Sequence, residues 1–98
     1  MIYMTARFRI QPETLTACAY AINDFIDYIK ANEPDTLQYT SVNETDDPFA
    51  FLHFFVFKDE AAEERHRGSP GTMAFVDALY PNLIGDVEFT RWQEVATT

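Results

Sequence analysis

Residues 49–57 read Phe49-Ala50-Phe51-Leu52-His53-Phe54-Phe55-Val56-Phe57, apolar at every position but His53. Aromatic and β-branched side chains in a run this short predict a strand. Antiparallel strands usually wet one face, so a strand apolar on both needs a second cover besides the helices of its own chain. The short connections leave little chain for long covering loops, the other way to bury it, so the expected cover is another subunit. Just upstream, Glu44-Thr45-Asp46-Asp47-Pro48 supplies turn residues, and residues 36–44 carry Leu37, Tyr39 and Val42. Together they predict a hairpin.

Working outward, residues 2–10 alternate Ile2, Met4, Ala6, Phe8 and Ile10 with Tyr3, Thr5, Arg7 and Arg9, a strand whose even-numbered face looks inward. Arg7 and Arg9 then face solvent or the rim of a dimer. Pro12 presets a helical first turn, and Leu15, Ala19, Ile22, Ile26 and Ile29 form an apolar stripe on a helix ending near Asn32 and Pro34. After the hairpin, Asp59, Glu60, Glu63 and Glu64 sit at the positive end of a second helix and Arg65, His66 and Arg67 at its negative end. Gly68-Ser69-Pro70 breaks that helix and restarts it, with Met73, Val76, Leu79 and Tyr80 turned inward until Pro81. A last strand falls between Gly85 and Val95. The order strand, helix, strand, strand, broken helix, strand predicts one α+β domain over residues 1–98, a ferredoxin-like split βαβ with a four-stranded antiparallel sheet.

Composition narrows the function. Sixteen acidic against seven basic side chains give a formal charge of −9, which repels phosphate backbones and anionic lipid and argues against a nucleic-acid partner. No apolar run is long enough to span a bilayer, and Arg7 and Arg9 interrupt what would be a signal peptide; the expectation is a cytoplasmic protein without a membrane partner. The lone Cys18 rules out an internal disulfide.

Counting also excludes chemistries. Three glycines, at 68, 71 and 85, cannot form a dinucleotide fingerprint, and neither G-x-S-x-G nor C-x-x-C occurs. Glu63-x-x-His66 has the spacing of half a di-iron site but occurs once, so no metal is expected. The groups titrating near neutrality are His66 and His53. His66 precedes the helix break, where a gap between helices and sheet can open into a pocket, and is the candidate base; its other reading is a cation complementing a helix C-terminus. His53, between phenylalanines, reads as a buried or interface histidine or a ligand contact. Tyr20, Tyr28, Tyr39, Tyr80 and Trp92 are candidates to line a cavity for a flat aromatic ligand, although such residues are also ordinary core.

The element order, the run Phe57-Lys58-Asp59-Glu60-Ala61-Ala62 and the following His66-Arg67-Gly68-Ser69-Pro70 resemble the antibiotic biosynthesis monooxygenase (ABM) family. Pro34-Asp35-Thr36-Leu37-Gln38-Tyr39 is similar to that family's Pro-Gly-x-x-x-Tyr approach to the second strand, with Asp35 in place of the commoner glycine. The resemblance implies a homodimer closed as a dimeric α+β barrel. It also implies an oxidoreductase that oxygenates a small aromatic, polyketide-like or quinol substrate with dioxygen and no cofactor. His66 would then be catalytic, with Tyr39, His53, Tyr80 and Trp92 binding substrate; spacing alone does not fix the register of the last strand, so Trp92 faces either the pocket or the interface. Gly71 departs from quinol-oxidising relatives, which often carry a histidine there. Ala6, His66 and Val76 stand where the haem-degrading branch has asparagine, tryptophan and histidine, against haem as substrate. Two other readings keep the fold: a non-catalytic dimeric module that binds a hydrophobic ligand or regulates, and a proton-transfer isomerase or cyclase.

Overall fold

The computed structural model describes residues 1–98. The doubly apolar run is the end of β3 (Asp47–Phe57), which pairs on one side with β2 (Thr36–Glu44) and on the other with β1 (Ile2–Ile10). β4 (Leu83–Trp92) lies on the far edge of β1, so the antiparallel sheet runs β2-β3-β1-β4. Three helices, α1 (Leu15–Asn32), α2 (Glu60–Arg67) and α3 (Pro70–Leu79), follow the predicted order.

Register assigns every β3 side chain to a face. Ala6 opposes His53, Phe8 opposes Phe51 and Met4 opposes Phe55, so the even residues of β1 and the odd residues of β3 point the same way. Phe8, Ile10 and Phe51 join Cys18, Ile22, Phe25 and Ile29 of α1 and Phe75 and Leu79 of α3 in one core; Ala6, Phe55, Phe57 and Ala62 form a second. Phe57 and Ile10 are almost wholly buried, each contributing about 2–3 kcal/mol of transfer free energy. The buried stripe on α1 is rotated from the expected one: Phe25 and Cys18 are inside and Ala19 is exposed. Similarly, Met73 is exposed and Phe75 takes the inward position on α3. On each helix a phenylalanine next to an expected inward residue, Phe25 beside Ile26 and Phe75 beside Val76, offers more apolar area, and the helix turns to bury it.

Local chemistry fixes the breaks between elements. The Asp59 side chain accepts from the Ala62 amide at 2.9 Å and caps α2, and Ser69 accepts from the Thr72 amide at 3.1 Å and caps α3 with Pro70 behind it. On β4 the pairing with β1 slips between Arg7 and Arg9, and Gly85 at φ +75° supplies the left-handed residue such a bulge needs. β4 therefore begins at Leu83, two residues before the predicted Gly85.

The other face of the sheet carries Arg7, Arg9, Leu52, Phe54 and Val56, with Val42 and Ile84 beside them. No helix covers it. Val56 is buried by its own chain, whereas Leu52 and Phe54 are half-buried and Val42 and Ile84 are exposed.

Candidate functional site

The helix-side face holds a cavity of about 80 Å³, open at one end and lined by Ala6, Phe8, His53 and Phe55 from the sheet, Tyr39 from β2, and Phe25, His66, Phe75 and Val76 from the helices. Val87, Phe89 and Tyr80 stand at its β4 end, with Phe89 and Tyr80 59% and 41% exposed. Of the five residues picked out from sequence, His66, Tyr39, His53 and Tyr80 meet here.

Trp92 does not. It pairs with Tyr3 and donates its indole N–H to Thr5 Oγ1 at 2.8 Å, placing it on the uncovered side of the sheet, 55% exposed. From Glu88 to Trp92 the pairing with β1 is unbroken, so Trp92 follows Glu88 and Thr90 to the face opposite Val87 and Phe89. Tyr20 is exposed on α1.

His66 sits in the last turn of α2 with its ring 5.1–6.0 Å from those of Phe25, Tyr39, Phe55 and Phe57. Its Nδ1 lies 2.7 Å from Glu33 Oε1, and both side chains are about nine-tenths buried. Thr36 Oγ1 donates to the same Glu33 oxygen at 2.8 Å, and Ser69 Oγ reaches Oε2 at 3.5 Å. An ionised carboxylate can only accept, so it holds the proton on Nδ1 and leaves Nε2 as the basic atom. Glu33 was not singled out in the sequence. It sits at the C-cap of α1, the end where the helix dipole disfavours a carboxylate, and that local breach of the rules was the available signal.

Tyr39 stands between the two histidines, its ring 5.9 Å from that of His66 and 5.2 Å from that of His53. Its hydroxyl is 2.6 Å from His53 Nδ1. Burial, then the charges of Tyr80 and Glu33, hold the Tyr39 phenol above its usual range, so it stays protonated. Burial pushes His53 down to about 4, so it stays neutral near pH 7. His53 is 1% exposed, and its Nε2 has no hydrogen-bond partner.

Two sequence motifs serve packing. Glu63 receives both Arg91 contacts, at 2.8 and 2.9 Å, with Arg67 at 3.4 Å, fastening β4 to α2. No group of three or more potential metal ligands occurs. A Cβ on Gly71 would overlap the Tyr28 ring of α1, so this position faces the neighbouring helix and is absent from the cavity wall. Its lack of a side chain is explained by close helix packing.

The sequence profile described as antibiotic biosynthesis monooxygenase matches residues 1–78. The chain belongs to the antibiotic biosynthesis monooxygenase family. Solved relatives of this ABM chain share its fold at low identity. A crystal structure of an antibiotic biosynthesis monooxygenase is 20% identical with a TM-score of 0.90, covering 98% of this chain and 100% of its own. A protein from Mycobacterium tuberculosis is 20% identical with a TM-score of 0.87, covering 98% and 96%. SnoaB, a cofactor-independent oxygenase from Streptomyces nogalater, is 18% identical with a TM-score of 0.83, covering 98% and 94%. No functionally curated protein is recognisably similar in sequence. No helix is long and apolar enough to cross a membrane.

Proposed function

We propose that this ABM protein is a cofactor-independent monooxygenase acting on a small aromatic or quinol-like substrate, with His66 as catalytic base. The observation that carries the reading is the 2.7 Å Glu33–His66 contact on the wall of an aromatic cavity. His66 Nε2 takes the proton from an acidic phenol or activated methylene, and Glu33 stabilises the imidazolium that forms. The resulting anion is electron-rich enough to react with dioxygen directly. For an activated methylene, CH₂ and O₂ become C=O and H₂O, one oxygen atom entering the substrate and the other leaving as water. Membership in the family and the likeness to SnoaB support this reaction class. Tyr39, His53 and Tyr80 serve as substrate contacts; Trp92, on the other face, does not.

The uncovered sheet face fits a second copy of the chain. Arg7 and Arg9 share it with Asp86 and Glu88 around half-buried Leu52, a mixed-charge surface that a two-fold axis can set against itself. The homodimer of the dimeric α+β barrel would form here.

The test is dioxygen uptake by metal-free protein with anthrones, naphthohydroquinones and simple hydroquinones. Uptake above background with stoichiometric oxygenated product supports the reading. Proton exchange or isomerisation of the same compounds without uptake would replace it with a proton-transfer enzyme, and binding without either reaction would replace it with a ligand-binding module.

A further inference from the structure

The cavity holds two histidines whose surroundings differ. His66 has a carboxylate on Nδ1; His53 has a phenol that keeps its proton. The direction of the Tyr39–His53 hydrogen bond follows from counting unsatisfied groups. If His53 Nδ1–H donated to Tyr39, the buried phenol proton would have no acceptor and Nε2 would be a bare acceptor, leaving two groups unpaired. If Tyr39 donates to Nδ1, every polar atom of the pair is satisfied except Nε2–H. Each unpaired buried group costs about 1–3 kcal/mol, so the second arrangement holds.

His53, a residue of the cavity lining, thus carries an N–H donor that is buried and without a partner. The rings beside it, Phe8 at 4.9 Å and Phe75 at 5.9 Å, offer at best the weak acceptor of an aromatic face. Native proteins pair nearly all such groups, and the cavity that His53 lines is the adjacent space from which a partner can be supplied. We propose that His53 Nε2–H donates a hydrogen bond to the anionic ring oxygen of a single-ring phenolate-type ligand, with Tyr39 fixing the tautomer that makes it a donor. This assignment rests on the reading of the cavity as the ligand site. It divides the labour: His66 removes the proton and His53 holds the charge that remains, an oxyanion donor set among aromatic rings, where such donors act more strongly than in water.

Size agrees. The 80 Å³ of free space is smaller than the roughly 150 Å³ of an engineered cavity that takes benzene, so it encloses the oxygen-bearing edge of one ring. The rest of the ligand lies against the exposed faces of Tyr80 and Phe89.

The experiment compares binding of 4-nitrophenol, whose ionised form is read by its visible absorption, with that of 4-nitroanisole, which has no ionisable oxygen. Wild type should bind the nitrophenolate at least tenfold more tightly than the anisole. His53→Phe, which keeps an aromatic ring there and removes the donor, should abolish that preference; the ratio of the two affinities is the readout, because a general change of the pocket would weaken both ligands together. His53→Gln, whose amide N–H reaches the same region, should restore part of it. Tyr39→Phe should weaken it, and ¹⁵N NMR of wild type should place the His53 proton on Nε2. Equal loss of both ligands in His53→Phe, no preference in wild type, failure of either ligand to bind, or a proton on Nδ1 would overturn the proposal. No dioxygen is consumed in these measurements, so their outcome is separate from that of the oxygenation reading.

Discussion

The two faces of β3 are built from the same residue types and have different fates. Toward the helices, Phe51, Phe55 and Phe57 are buried, and His53 among them is a polar group the chain itself does not satisfy. Toward the open side, Leu52 and Phe54 are half-covered, and the polar groups around them are charged, such as Arg9 paired with Asp47. An apolar surface short of cover calls for a large partner. An enclosed donor short of one hydrogen bond calls for a small ligand. The difference teaches that what an apolar strand lacks on each face says which kind of partner that face takes.

Removing bulk on the two faces should separate them most sharply. Phe57→Ala should cost about 3–5 kcal/mol in denaturant unfolding, because its ring is fully buried, whereas Phe54→Ala should cost much less in a monomeric background. Equal costs would erase the distinction. Next in size is the association itself. Light scattering should give about twice the 11.3 kDa chain mass for wild type, and Phe54→Glu, which puts an unpaired charge on the open face, should return the mass of one chain with the circular dichroism unchanged. A monomeric wild type would mean that the open face is merely solvated.

A smaller effect concerns the covered side. Gly71→Ala drives a methyl group into the Tyr28 ring and should destabilise by about 1–3 kcal/mol without altering ligand binding. Smaller still at neutral pH is the titration of His53. Its unfolded value is near 6.5 and its folded value is pushed down to about 4. Between those limits the unfolded chain binds a proton that the folded chain refuses, so stability is lost as pH falls, with a slope of up to about 1.4 kcal/mol per pH unit. The stability of His53→Gln should be flatter than that of wild type over that window, and identical profiles would remove His53 as the cause.

Fold and site were legible to different depths. Period-2 alternation in residues 2–10 and the turn at 44–48 gave the sheet, and Ser69-Pro70 gave the helix break, because those signals are local. The rotation of α1 onto Phe25 was not legible, since Ile22, Ile26 and Ile29 form an acceptable stripe and only packing against Phe75 and Tyr39 selects the other. His66 was found as a titratable group beside a break. Glu33 was missed because it lies 33 residues away and its meaning appears only when α1 ends against α2. Trp92 shares the parity of Glu88 and Thr90 in an unbroken stretch of pairing, so it lies on the open face, the one of its two readings that does not reach the cavity.

The claim that Glu33 and His66 work as one unit is tested most directly by a double-mutant cycle on dioxygen uptake, using whichever substrate gives the fastest wild-type rate. His66→Ala should lower kcat/KM about a hundredfold, Glu33→Gln about tenfold, and the double variant no further than His66→Ala alone, because the carboxylate acts through the imidazole. Losses that multiply, or a His66→Ala protein that retains wild-type uptake, would contradict the account.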